Sequence, residues 1–168
     1  MSQNFVSDYT LQKSFQVDIS TMTSLNKFLK SKDYIKVPLV FTETNHFEIA
    51  AKINGISGKF ILDTGASNTC VGFDKIEFFK MASEATDIKA AGAGATEMET
   101  LISTKNTIEI GKWKKKKQKI VLFDLVHVNQ ALVSHNALPV DGIIGADVLK
   151  KGKAIIDYRK KQLFLKVG

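Results

Sequence analysis

From Val37 onward, short apolar runs alternate with glycine, Asn-Gly and lysine-rich breaks: VPLVF, HFEIAAKI, KFIL, TLIST, NTIEIG and QKIVLFDL. Runs of about four to eight apolar or β-branched residues bounded by turn signals predict strands, and their succession predicts an all-β domain. Asn54-Gly55 falls between FEIAAKI and ISGKFIL. That pair predicts a two-residue hairpin, because the favoured turn needs positive φ at both central residues. The second strand of this hairpin runs directly into Asp63.

The last third closes differently. Ala146–Lys151 (ADVLKK) predicts one or two helical turns stopped at Gly152, and AIIDY and QLFLKV then predict a terminal hairpin with a basic turn. The first 36 residues are polar with scattered apolar positions. Within them STMTSLNKFLKSKDY predicts a short amphipathic helix behind a Ser/Thr cap, with Leu25, Phe28 and Leu29 on one face. The expected organisation is an N-terminal appendage over residues 1–36 and one domain over 37–168.

Composition sets limits on this picture. A chain of 168 residues with 44% hydrophobic content can bury one good core. It contains no apolar run of about 18 residues, and its start lacks the basic and apolar segments of a secretory signal, so no membrane insertion and a cytoplasmic location are expected. Cys70 is the single cysteine, which excludes an intrachain disulfide and, with no histidine beside it, predicts a small buried hydrophobe. The net charge of +7 is concentrated in Lys112–Lys119 and Tyr158–Lys166. Lysines flanking strands and turns protect edges and solubility, and too few aromatics lie near them for base stacking; nucleic acid is not expected as a partner. Trp113, inside the lysine run, is expected on a strand with one face covered. His46, His127 and His135 lack ligand spacing, so neither a metal nor a cofactor is expected.

The candidate chemistry lies in GKFILDTGASNTCV, Gly58 to Val71. A carboxyl at the end of an apolar strand is either solvated by a turn or kept for chemistry, because burying an unpaired carboxylate is costly. A second feature, KAAGAGATEMETL, centres on Gly92, Ala93 and Gly94 and predicts a mobile hairpin tip. It lacks the third glycine and the lysine of a phosphate cradle. Asp147 is expected as a helix N-terminal charge satisfying free amides.

Asp63-Thr64-Gly65-Ala66-Ser67, preceded by Phe60-Ile61-Leu62 and followed by Asp141-Gly142-Ile143-Ile144-Gly145-Ala146-Asp147-Val148-Leu149, resembles the retropepsin-like aspartic proteases. The resemblance covers about Val37 to Gly168 and is nearest to cellular and bacterial single-domain members, whose Gly-x-Asp-x-Leu helix precedes an Ile-Asp strand, as in AIIDY here. Retroviral members usually carry arginine where this chain has Ala146-Asp147. The resemblance implies an all-β, closed barrel equivalent to half an acid protease, with one short helix.

It also implies an aspartic endopeptidase that hydrolyses peptide bonds with a water activated between two Asp63 carboxyls sharing a proton. One chain supplies one such aspartate, since Asp141-Gly142 lacks the hydroxyl residue between. The family's arrangement is a C2 homodimer acting on a peptide or protein substrate. By the same resemblance Asp63, Thr64 and Gly65 are catalytic. Thr64 bonds across the axis and Gly65 lets the backbone approach the carboxyls. Ala66, Ser67 and a flap at Gly92, Ala93 and Gly94 bind substrate. Ile143, Ile144 and Gly145 pack beneath the loop, and QLFLKV joins the subunits. The alternative is a protease-fold peptide-binding module with little or no hydrolysis.

Overall fold

The computed structural model describes residues 24–85, 90–92 and 95–168. The described chain opens on α1 (Leu25–Lys30), capped by Ser24, whose hydroxyl accepts the Lys27 N–H at 3.3 Å. Of the apolar face expected there, Leu29 is buried, whereas Leu25 and Phe28 face solvent. The boundary expected after residue 36 falls inside the first strand, β1 (Tyr34–Pro38).

VPLVF does not form one strand. It breaks at Leu39, which is buried and donates its N–H to the Lys161 carbonyl at 2.9 Å, and β2 (Val40–Phe41) starts in a different sheet. The Asn54-Gly55 hairpin forms as its turn chemistry requires: φ is 51° at Asn54 and 85° at Gly55, between β3 (Phe47–Ile53) and β4 (Ile56–Leu62). After β5 (Cys70–Gly72) comes a single 3-10 turn, then β6 (Glu84–Ala85). β7 (Ala90–Gly92) and β8 (Ala95–Met98) pair with each other as a separate ribbon, Gly92 opposite Ala95. Ala93 and Gly94, expected at the tip of the flap, lie outside the described residues.

TLIST and NTIEIG merge into one long strand, β9 (Leu101–Ile110), in which Lys105 takes a φ of 64°. β10 (Trp113–Phe123) contains the lysine run itself, not merely its flank. Its register on β9 shifts between Lys115 and Gln118 and again before Ile120. Asn106 and Gln118 are buried at this irregularity. Asn106 donates to the Ser103 carbonyl at 3.0 Å, and the Gln118 side chain donates to the Lys116 carbonyl at 2.8 Å, so the bulge is held by satisfied amides. Trp113 is covered on both faces rather than one, with 1% of its surface exposed.

β3, β4, β11 (Gly142–Ile144), β5, β10 and β9 follow one another in hydrogen-bonded order, and β9 pairs again with β3 through Lys52↔Glu109 and Ile53↔Ile108. The result is a closed six-stranded barrel, as the resemblance implied. Alternate residues of its strands point inward, and Ile53, Phe60, Ile108, Ile120, Leu122 and Ile144 are wholly buried there. Two helices accompany the barrel instead of the one expected: α2 (Val126–Ser134) and α3 (Ala146–Lys151). α3 ends at Gly152 as its sequence predicts.

β12 (Ile155–Asp157) and β13 (Gln162–Lys166) form the terminal hairpin. β13 is the middle strand of a three-stranded sheet, with β1 on one edge and β12 on the other. QLFLKV therefore has no free edge to offer another subunit: Leu163, Phe164 and Leu165 are buried, and among the described residues the open edges belong to β1 and β12.

Candidate active site

The site begins with β11. It runs parallel to β4, with Ile143 opposite Ile61 and Ile144 opposite Leu62, and antiparallel to β5, with Ile143 opposite Cys70. One three-residue strand thus separates the two strands that carry the ends of the Asp63 loop. Asp63 is the first residue past β4, and its N–H still donates to the Ile144 carbonyl at 3.0 Å. Its backbone is fixed by the barrel while its carboxyl, only partly covered, stands at the rim.

Asp63 Oδ1 accepts the Gly65 N–H at 2.8 Å, the local turn in which an aspartate closes on the residue two ahead. Thr64, Gly65 and Ser67 are exposed, and Ala66 is half-buried. The Ala66 carbonyl accepts the Ala146 N–H at 2.8 Å, which ties the outer limb of the loop to the start of α3.

A buried clasp that sequence reasoning did not single out holds the far end. Thr69 is fully buried. Its N–H and its hydroxyl both donate to Asp147 Oδ1 at 2.8 Å, and its hydroxyl oxygen accepts the Gly145 N–H at 3.0 Å. Asp147, expected to satisfy the amides of its own helix, instead satisfies the loop 78 residues earlier. Gly145 lies so close under the loop that a Cβ there would sit 2.6 Å from the backbone carbon and oxygen of Asn68. Its packing beneath the loop is thus a backbone-to-backbone contact that leaves no room for a side chain.

Asp141 has a comparable fixing role. Its Oδ2 accepts the Lys59 N–H at 2.9 Å, and its Oδ1 lies 3.4 Å from Lys75 Nζ. Partial burial works against the charge on Lys75, but the carboxylates of Asp74 and Asp141 outweigh it and raise the ammonium above its ordinary value. Cys70, at the start of β5, is buried as expected. Burial pushes its thiol up to about 12, opposed by a hydrogen bond with the Ile143 backbone and assisted by the charges of Asp147 and Asp63.

Ile61, two residues before Asp63 and so on the same face of the strand, is covered by Leu132 of α2 and by Val140, with Ile143 packed against them. The helix that the sequence did not announce therefore supplies an apolar flank beside the loop. A shallow cleft of about 460 Å³ on the other side of α2, lined by Asp74, Leu125, Val126 and Val133, contains none of the loop residues. Among the described residues no group of three histidine, cysteine, aspartate or glutamate side chains could hold a metal, and no helix is long and apolar enough to cross a membrane.

A carboxyl set at the rim of a closed barrel on a turn locked by a second chain segment is the kind of site that aspartic proteases carry. The family model described as aspartyl protease matches residues 49–148, and the chain belongs to that family. The match takes in the Asp63 loop, β11 and the first half of α3. Among solved structures, a retropepsin-like aspartic protease from Rickettsia conorii is 20% identical, with 79% of this chain and 90% of that one covered and a TM-score of 0.51. The EIAV protease in complex with the inhibitor HBY-793 is also 20% identical, with 66% and 90% covered and a TM-score of 0.50. The fold is retropepsin-like. No curated protein matches the chain.

Proposed function

We propose that the protein is an aspartic endopeptidase in which two chains, related by a two-fold axis, bring their Asp63 carboxyls together. The observation that carries this reading is the placement of Asp63: a partly exposed carboxyl held by the Gly65 N–H at 2.8 Å, on a loop clamped from below by Gly145 and Asp147. A turn carboxylate with no further purpose would not need that clamp.

The chemistry asks two things of the pair. One carboxylate takes a proton from water as the water oxygen attacks the peptide carbon, and the other carboxyl gives its proton to the carbonyl oxygen. The tetrahedral species then collapses: the amide nitrogen takes a proton, the C–N bond breaks, and the pair again holds one proton. Thr64 and Gly65 keep the two loops in register, and Ala66, Ser67 and the β7–β8 ribbon receive an extended peptide.

The test is Asp63→Asn, which keeps the shape but can neither accept nor release the shared proton. Hydrolysis of an unfolded protein substrate should fall by at least ~100-fold, with the melting temperature and oligomeric state kept. A variant within a few-fold of the wild type would end this reading. A wild type that binds such substrates without cleaving them would leave a peptide-binding module in its place.

A further inference from the structure

Because the lysine run is part of β10 itself, guarding a turn does not account for it. Lys112, just before the strand, and Lys114, Lys116, Lys117 and Lys119 within it are exposed, whereas Trp113, Gln118 and Ile120 between them are buried. The strand turns one face to the core and sets ammonium groups on the other, with successive outward positions about 6.6 Å apart. The bulge between Lys115 and Gln118 adds Lys117 to the outer face. Lys105 of β9, also exposed, falls between the Gln118↔Asn106 and Ile120↔Ser103 partners and so lies beside Lys119.

Little offsets this charge. Glu109 pairs with Lys114 at 2.8 Å, and it stands opposite Lys52 of β3 as well. Glu84, on β6 beyond β9, accepts the Thr104 hydroxyl at 3.3 Å. Among the described residues none of Lys105, Lys112, Lys116, Lys117 and Lys119 makes an ion pair. Like charges at neighbouring outward positions repel, and lysine is a poor strand former, so the row costs the sheet stability. It also leads to the site. Lys119 is two residues before Val121, whose N–H donates to the Thr69 carbonyl at 3.0 Å, so the row begins beside the far limb of the Asp63 loop.

We propose that this row is an exosite for an acidic, extended segment of the protein substrate, lying along β10 and leading away from the Asp63 loop. The proposal rests on the aspartic-protease reading above and narrows its substrate class. Every second side chain of an extended peptide recurs at the spacing of the lysines, so glutamates or aspartates at alternate positions meet them one to one. The surface lacks what other polyanions use. Trp113 is buried and offers no ring for a base to stack on, and none of the exposed large apolar side chains belongs to β9 or β10, so nothing here enters a lipid interface. Every cation in the row is a lysine, a flexible point charge without the planar fork that arginine gives to phosphate. Such a row reads density of charge. It draws the substrate in at encounter and holds it equally before and during the reaction, which lowers KM and leaves kcat as it was.

The test uses the full chain and a peptide that it cuts at one bond, taken from its digest of an unfolded protein. The peptide is extended at one end or the other by a short run in which serine alternates with glutamate or, in the control, with glutamine. At low salt the wild type should hydrolyse a glutamate version with kcat/KM ~10-fold or more above its control, through KM, and the gap should close toward about 0.5 M salt. Lys116→Glu combined with Lys119→Glu should abolish the preference and leave hydrolysis of the glutamine peptide unchanged. Both positions are exposed, and melting followed by circular dichroism checks the fold. Lys116→Arg with Lys119→Arg should keep the preference. If the glutamate variant fails to fold, the salt dependence of the wild type decides. Equal hydrolysis of both versions at low salt overturns the proposal, as does a preference that the glutamate variant retains; the protease reading survives either result. A chain that cuts no unfolded protein is tested by the fluorescence anisotropy of labelled extensions. Tighter binding of the glutamate run, lost in the glutamate variant, then upholds the surface and ends the protease reading, and no difference overturns the proposal. Oligothymidylate or phosphatidylserine vesicles bound through the same lysines, with no preference between the peptides, would overturn it in favour of nucleic acid or a membrane.

Discussion

Thr69→Val is the substitution that best isolates the clasp under the Asp63 loop. Valine has nearly the shape of threonine, so packing at this fully buried position is kept and only the hydroxyl is lost. Two of the three hydrogen bonds at Thr69 go with it: the 2.8 Å bond given to Asp147 Oδ1 and the 3.0 Å bond received from the Gly145 N–H. A hydrogen bond to an ionised acceptor contributes about 1.5–3 kcal/mol, and the buried Gly145 N–H left without a partner costs about 1–3 kcal/mol more. The sum is roughly 2.5–6 kcal/mol, which for a domain of this size is a fall of about 5–24 °C in melting temperature. Thr69→Ser is the matched control: it keeps both bonds and loses one methyl, at about 1 kcal/mol. Thermal melts of the three proteins, followed by circular dichroism, read the difference directly. Hydrolytic activity at a temperature where all are folded should be reduced in the valine variant and near normal in the serine one. If Thr69→Val melted within about 3 °C of the wild type, or Thr69→Ser fell as far, the clasp would not be what holds the loop.

Three other outcomes follow from the same region. Gly145→Ala places a methyl 2.6 Å from the Asn68 backbone, which cannot swing aside as a side chain would; the variant should lose at least ~1–3 kcal/mol in a urea titration and most of its hydrolytic activity even when folded. Cys70, with its thiol pushed up to about 12 by burial, should resist maleimide at pH 8 until the protein unfolds. Because the folded thiol holds its proton more tightly than the unfolded one, this group's contribution to stability is whole below pH 9.0 and declines as the pH rises toward about 12, which melts in alkaline buffer can follow.

Much of this molecule could be read locally. Asn54-Gly55 specified its hairpin, Gly152 stopped α3, and the Asp-Thr-Gly stretch after an apolar strand marked the loop. What escaped reading lacked local signals. α2 begins at Val126 behind an apolar N-cap, Leu125, with no acid in its first turn and no base in its last; the one start signal, Asp124 Oδ1 accepting the Val126 N–H at 2.8 Å, lies a residue further out than a cap, and the helix buries mainly Leu132. The break at Leu39 is set by which sheet each side of it can join. The lysines of β10 look like a turn because strand propensity is low for lysine, yet Trp113, Gln118 and Ile120 point inward at intervals that the bulge adjusts. Thr69 was invisible as a site residue because its partners are 76 and 78 residues away. Asp147 was correctly placed on a helix, but its carboxylate was assigned to the nearest amides rather than to the distant ones it serves.

The wedging of β11 between β4 and β5 bears on the order in which the protein can be assembled. Lys59 and Asp141, which set β11 beside β4, are 82 residues apart in the chain, and closing a loop of that length costs about 4 kcal/mol of chain entropy before any pairing repays it. As the chain leaves the ribosome, Asp63 emerges ahead of β11, on a strand with an empty slot at its side. The β3–β4 hairpin can form at once, but the carboxyl has no fixed direction until Gly142–Ile144 arrives to fill the slot and Asp147 follows to fasten Thr69. The acid is therefore aimed only once the chain has been made as far as Asp147, and a chain that stops short of that residue carries the family's signature sequence without the frame that holds its loop.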